Sequence, residues 1–182
     1  MTERRITRVA VTGSESTGKT TLARDLAAHF GAPWVAEQAR AYAARVKRAL
    51  TAEDVAPIAS EQIAAEDAAF AEATRGKGGW LFLDTDLVST VVYARHYYGS
   101  CPAWIEAEAR ARLADLYLLS DIDVPWSTDA VRDRPNSREE LHAAFQAVMS
   151  EFNARKCLVR GLGRHRLEAA LNCIASEDRL AM

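Results

Sequence analysis

The chain has 182 residues, 49% of them hydrophobic, with 25 acidic against 23 basic side chains and a formal net charge of −2. That length suits one α/β domain with a sizeable core, and the near-neutral balance gives no bulk-charge drive toward nucleic acid or a membrane surface. No apolar run approaches membrane-spanning length, and Met1–Arg5 leads into the first strand without an apolar signal core.

Ile6 to Thr12 alternates and is rich in β-branched residues, as a strand is. Gly13-Ser14-Glu15-Ser16-Thr17-Gly18-Lys19-Thr20 follows and reads G-x-x-x-x-G-K-T. Thr21 to Phe30 then places Leu22, Leu26 and Phe30 on one helical stripe, with Gly31 as its stop. Strand, glycine loop and helix are the order that polyphosphate binding requires. The glycines let successive N–H groups of the loop turn inward, and the helix N-terminus through Thr21 adds its partial positive charge. Lys19 then reaches the β- and γ-phosphates and the Thr20 hydroxyl binds Mg²⁺, so the motif predicts ATP and Mg²⁺ as ligands.

Pro33 to Glu37 is a short second strand, and Gln38 to Leu50 reads helical, with Ala39, Tyr42, Ala43 and Val46 on one side. Thr51 with Asp54 is a capping box for a helix to about Arg75 that starts or bends at Pro57. Trp80-Leu81-Phe82-Leu83, closed by Asp84, has the continuous apolar character of a buried parallel strand. Helices are predicted from Leu87 to Tyr98 and after Pro102. Asp115 to Leu119 is a fourth strand. Ser120 to about residue 138 is a polar, lid-like excursion carrying Pro125 and Pro135, and Ser137 with Glu140 caps the next helix. Lys156 to Arg160 is a fifth strand, and Gly161-Leu162-Gly163 turns into the last helix. Cys101, Cys157 and Cys173 are an odd, well-separated set, which points to a reducing, cytoplasmic setting and against a zinc site or a disulfide framework.

Together these elements predict one domain over residues 1–182: a P-loop NTPase fold, with a parallel five-stranded sheet and helices on both faces. Ligands in such sheets sit at the carboxyl ends of the strands, where several candidate residues fall. Asp84 supports the Mg²⁺ shared with Thr20, contacts substrate, or caps the following helix; Asp86 has the same alternatives. Glu37 takes the proton of an attacking hydroxyl while Arg40 holds substrate or phosphate, or the two form a solvated pair at a helix start. Arg132 and Arg134, with Arg138 beyond, neutralise charge from a closing flap or lie on a loop surface. Trp126 stacks on a flat ring or anchors the loop by packing. Arg164 and Arg166 lie against an adenine or on the helix surface.

Three runs carry a family resemblance: Ser14 to Thr20, Glu37-Gln38-Ala39-Arg40 and Leu83-Asp84-Thr85-Asp86. Asp123-Val124-Pro125-Trp126 adds to it, with Asp129 and Arg132 nearby and Gly161 with Arg166. In this order the chain resembles the ribosylnicotinamide kinase domain of the NadR type. The resemblance implies ATP-dependent phosphorylation of the 5′-hydroxyl of nicotinamide riboside, giving nicotinamide mononucleotide for NAD synthesis. It implies Lys19 and Thr20 on ATP-Mg²⁺ and Asp84 near metal or substrate. Glu37, Arg40, Asp86 and Trp126 would line the nucleoside pocket, Arg132 would sit in the lid, and Arg166 would meet the nucleotide. With no H-x-G-H-type region ahead of the loop, the chain is expected to be a free-standing kinase or a member that has drifted from that family. The rival readings are a kinase of another nucleoside and a nucleotide-dependent regulatory ATPase without a small acceptor. The long segment between the second and third strands and the arginine-bearing excursion favour a kinase. Sequence alone leaves Glu37 and Asp84 equal as the general base.

Overall fold

The computed structural model describes residues 5–76, 79–123 and 138–178. Its strands are β1 (Thr7–Thr12), β2 (Trp34–Val35), β3 (Trp80–Asp84), β4 (Leu116–Ser120) and β5 (Lys156–Val159). They form one sheet in the order β2-β3-β1-β4-β5, and every pairing is parallel. The described helices are α1 (Lys19–Phe30), α2 (Gln38–Val46), α3 (Val55–Arg75), α4 (Leu87–Tyr98), α5 (Ala103–Ala111), α6 (Arg138–Glu151) and α7 (Arg164–Asp178). This is the doubly covered parallel sheet that the alternation of strand and helix patterns predicts.

Strand pleating sorts the core into two layers, because successive side chains point to opposite faces. Val9, Val11, Phe82, Leu116, Leu118 and Val159 pack against Leu22 and Leu26 of α1 and Ala170 and Ile174 of α7. Ala10, Leu81, Leu83, Tyr117 and Leu119 face the other way, toward residues of α3, α4, α5 and α6 such as Ala59, Val91, Ile105 and Phe145. Both faces of β1, β3 and β4 are therefore apolar, which is why these strands read as near-continuous hydrophobic runs. With β1 central, the chain runs out to β2 and back to β3 on one side, then crosses to β4 and β5. The loops after β1, β3 and β4 consequently meet at the point where the strand order reverses, the usual ligand crevice of such sheets.

Two helix boundaries differ from the sequence reading. α2 ends at Val46 rather than Leu50, because Lys47 turns left-handed (φ 54°) and its N–H closes on the Ala43 carbonyl. Its stripe of Ala39, Tyr42, Ala43 and Val46 is only half-buried. α3 begins at Val55 and runs through Pro57, which lies in the first turn, where a backbone N–H has no intrahelical acceptor. Thr51 opens a single 3₁₀ turn (Ala52–Asp54) ahead of it, its N–H donating to the Asp54 carboxylate at 2.8 Å. Arg48 donates to that carboxylate at 2.6 and 2.8 Å and Tyr42 at 3.0 Å, which ties the end of α2 to the start of α3.

The cysteines correct an expectation. Cys157 on β5 and Cys173 on α7 form a disulfide, with Cα atoms 6.1 Å apart, and only Cys101 is free. Helix α7 runs back over the face of β5 and brings together residues 16 apart in sequence, a closeness that their spacing does not reveal. The argument for a reducing compartment from unpaired thiols lapses with it. No helix among the described residues is long and apolar enough to cross a membrane.

Candidate active site

The loop after β1 is shaped by close packing as much as by glycine content. Gly13 has φ 130°, and a Cβ there would come within 2.9 Å of the Ser120 carbonyl oxygen at the end of β4. A side chain at this position would push the loop off the sheet. Ser16 (φ 55°) and Gly18 (φ 77°) are also left-handed, the alternation that turns successive amides into an anion-binding nest. Gly18 is the N-cap of α1 and Lys19 its first residue. Lys19 is buried and folds back so that Nζ donates to the Ser14 carbonyl at 2.8 Å, while the Thr17 hydroxyl donates to the same oxygen at 2.9 Å. The hydroxyls of Ser14 and Ser120, both buried here, have no hydrogen-bond partner. Glu15 is half-buried beside them, and Thr21 is exposed on the first turn of α1.

Asp84 ends β3 in register with Val11 of β1, which puts it beside the loop. The Thr20 hydroxyl donates to Asp84 Oδ2 at 2.6 Å. Oδ1 of the same carboxylate is buried and has no hydrogen-bond partner. Burial pushes the Asp84 pKa up against the Thr20 hydrogen bond; Glu37 adds to the rise, and Lys19 and Arg40 oppose it. An unsatisfied buried carboxylate oxygen next to a loop hydroxyl suits a hard cation that prefers oxygen donors, so Thr20 and Asp84 fit Mg²⁺. Among the described residues there is no cluster of three or more His, Cys, Asp or Glu side chains able to hold a metal.

Thr85 stands between the two carboxylates of the Leu83-Asp84-Thr85-Asp86 run, and its backbone decides where each of them goes. It sits at φ 67°, an uncommon conformation for a β-branched side chain, and its N–H donates to the Val11 carbonyl at 3.0 Å. This kink sends Asp86 to the opposite face of the sheet from Asp84. There Asp86 caps α4 by accepting the Val88 N–H at 3.0 Å, and it accepts the Tyr117 hydroxyl at 2.5 Å. Both of its oxygens are engaged inside the protein. Behind it, Arg8 donates to Glu66 at 2.8 Å and Gln62 donates to the same carboxylate at 2.9 Å. Burial, then Asp86, pushes Glu66 to a pKa of about 7, and Gln62 and Arg8 only partly offset this.

Glu37 is the N-cap residue of α2 and is half-buried, with Arg40 Nε 3.7 Å from its carboxylate. β2 pairs with β3, Val35 opposite Leu83, so Glu37 and Asp84 leave neighbouring strand ends, within one electrostatic neighbourhood. Lys19, Thr20, Glu37, Arg40 and Asp84 are thus brought together, and Asp86 is not. Arg164 lies exposed on α7, paired with Glu168 at 2.9 Å. Arg166, two residues on, is 4% exposed and reaches the loop itself, donating to the Thr17 carbonyl. Trp126, Arg132 and Arg134 lie outside the described residues, as do Asp129 and most of the lid-like segment; Arg138 opens α6.

A family model described as an AAA domain (AAA_28) matches residues 8–166, from β1 to the start of α7. The chain belongs to the AAA domain family. The AAA domain is 29% identical over 150 residues to the trifunctional NAD biosynthesis/regulator protein NadR of Escherichia coli (strain K12), which covers 80% of this chain and 36% of that protein. The Salmonella typhimurium NadR is 30% identical over 147 residues, covering 79% and 35%. The AAA domain therefore spans about a third of the length of these relatives. A crystal structure of NadR in complex with NR superimposes with a TM-score of 0.75 at 27% identity, over 94% of this chain and 49% of that one. Thymidylate kinase from Ehrlichia chaffeensis shares the fold, with a TM-score of 0.70 at 12% identity over 94% of this chain and 98% of that one. The likeness to NadR read from the sequence motifs and the kinase-like P-loop fold both hold.

Proposed function

We propose that this AAA domain is a single kinase domain that transfers the γ-phosphoryl group of ATP to the 5′-hydroxyl of nicotinamide riboside, giving nicotinamide mononucleotide and ADP. The observation that carries the kinase reading is the Thr20–Asp84 hydrogen bond of 2.6 Å, with the second Asp84 oxygen unpartnered and Glu37 in the same electrostatic neighbourhood. The nucleoside half is supported by the NadR relatives, which are named for NAD biosynthesis and include a structure with NR.

In this reading the loop amides and Lys19 hold the β- and γ-phosphates, with Lys19 exchanging the Ser14 carbonyl for phosphate oxygens. Thr20 and Asp84 would hold Mg²⁺, which when bound would offset the charge of the triphosphate. Asp84 already accepts the Thr20 hydroxyl, and Glu37 serves as the base. Its carboxylate orients the acceptor hydroxyl and takes its proton as the new O–P bond forms and the bond to ADP breaks. Arg40 steadies Glu37 from the next turn. Arg132 would balance charge on the phosphoryl group in flight, and Trp126 would face the nucleoside. Catalysis of this kind is mainly positioning and preorganised charge.

The test is ADP release from ATP and Mg²⁺ with and without nicotinamide riboside, with product mass measured. Release that depends on nicotinamide riboside and yields its monophosphate is expected. Turnover of other nucleosides but not this one overturns the substrate half, and acceptor-independent hydrolysis unchanged by any nucleoside makes the chain a regulatory ATPase.

A further inference from the structure

Arg166 stands 149 residues from Thr17 in sequence and yet is bonded to it. Each nitrogen of its guanidinium has its own task. Nε donates to the Gly161 carbonyl at 2.6 Å, one terminal nitrogen to the Thr17 carbonyl, and the other to the Asp123 carboxylate, with the Asp121 carbonyl 3.4 Å away. Asp123 completes the ring by accepting the Gly161 N–H at 2.6 Å with its other oxygen. The loops that follow β1, β4 and β5 are therefore tied at their strand ends by one side chain. A planar guanidinium spreads its donors over three separate nitrogens and so spans the three loops, a reach that the single nitrogen of an ammonium group does not reproduce.

What that grip does to the phosphate loop follows from peptide geometry. In a planar trans peptide the C=O of one residue and the N–H of the next point in opposite directions. Arg166 holds the Thr17 carbonyl on the side of β4 and β5, so the Gly18 N–H is turned to the other side. Gly18 is the left-handed N-cap of α1, immediately before the lysine, where an amide facing inward serves a bound phosphate. Without the grip, nothing in the glycine's own conformational preference would stop that peptide from flipping, because glycine accepts either hand.

We propose that Arg166 is a positioning residue for triphosphate binding. It fixes the Thr17–Gly18 peptide so that the Gly18 amide faces the phosphates, with Asp123 orienting the guanidinium, and it does not contact the adenine. This rests on the ATP-binding half of the function proposed above and is independent of which nucleoside is the acceptor. Arg164, by contrast, is exposed and has no part in the ring.

The experiment measures binding of ATP, ADP and adenosine by calorimetry, with Mg²⁺, to the wild-type chain and to the Arg166→Lys, Asp123→Asn and Arg164→Ala variants, and checks folding by thermal melting. The expected result is a loss of ATP and ADP affinity on the order of tenfold in Arg166→Lys and a smaller loss in Asp123→Asn. Adenosine affinity should be unchanged in both, and Arg164→Ala should match the wild type. Added methylguanidine should restore ATP affinity to an Arg166→Ala variant. If adenosine affinity falls by the same factor as ATP affinity, Arg166 acts on the base and the proposal is overturned. It is equally overturned if Arg166→Lys melts earlier but binds ATP as the wild type does. Should Arg166→Lys fail to fold, Asp123→Asn decides by the same comparison, because Asp123 is partly exposed and its loss leaves the core intact. A wild-type chain that binds ATP but does not phosphorylate nicotinamide riboside refutes the substrate assignment and leaves this inference standing.

Discussion

Asp84 and Asp86 are two residues apart in one motif, and they belong to two different regions of the molecule. Asp84 faces α1 and the phosphate loop, with one oxygen on Thr20 and the other without a partner. Asp86 faces the opposite layer, with its oxygens on Val88 and Tyr117. Burial raises the pKa of each. The difference is in completion: the Asp86 region satisfies its own polar groups, whereas the Asp84 region leaves groups unsatisfied that a ligand can complete. A buried polar atom left unpaired costs stability, and the proposed Mg²⁺ site is where that cost would be recovered on binding.

The comparison can be tested from both sides. The largest effect is expected at Lys19: Lys19→Ala should lower turnover by about 10³-fold, far more than its small effect on the melting temperature accounts for, because in the proposed mechanism Lys19 stabilises charge on the transferring group. Asp84→Asn should lower turnover by about 10²–10³-fold in Mg²⁺. It should also hold or raise the unfolding midpoint of the ligand-free chain at neutral pH. A carboxyl whose folded pKa lies above its unfolded value costs stability once the pH exceeds the unfolded value, and asparagine keeps an acceptor for Thr20. If Asp84→Asn is destabilising and still active, the contrast between the two regions is wrong.

The other region should respond to pH. The Glu66 pKa is raised from 4.5 to about 7, so between these values the unfolded chain releases a proton that the folded chain retains. Stability should therefore fall as pH rises through that window, by roughly 3 kcal/mol from this group, and level off above it. Urea midpoints at pH 4.5–7.5 should show this slope, and Glu66→Gln should flatten it. The smallest effect is expected at Tyr117. Tyr117→Phe should cost about 1–2 kcal/mol by stranding an Asp86 oxygen, with ATP affinity unchanged as read by calorimetry. A loss of ATP affinity there would show that the two regions are coupled.

Several local features were legible because they are written in short stretches. The glycine loop, the apolar run ending in Asp84 and the capping pair Thr51 and Asp54 all recur in the structure where their spacing puts them. Pro57 was misjudged because a proline signals a break only beyond the first turn, and the 3₁₀ turn ahead of α3 moved that boundary. Helical periodicity did not separate Arg164 from Arg166, and the resemblance that singled out Arg166 did not say that it would meet the end of another loop. The Cys157–Cys173 disulfide escaped for a similar reason, since it depends on how α7 returns over β5.

The sequence by itself determined which segments become strands and helices, and it marked the glycine loop proposed to grip a triphosphate. Hydrophobic period, glycine conformation and capping all act over a few residues, so these outcomes did not depend on the rest of the chain. Only the tertiary structure decided that Thr20 meets Asp84, that a left-handed Thr85 sends Asp86 to the other layer, and that Arg166 braces the loop from behind. These outcomes hang on strand order and crossover packing, which join residues 64 and 149 positions apart through contacts that no local pattern encodes.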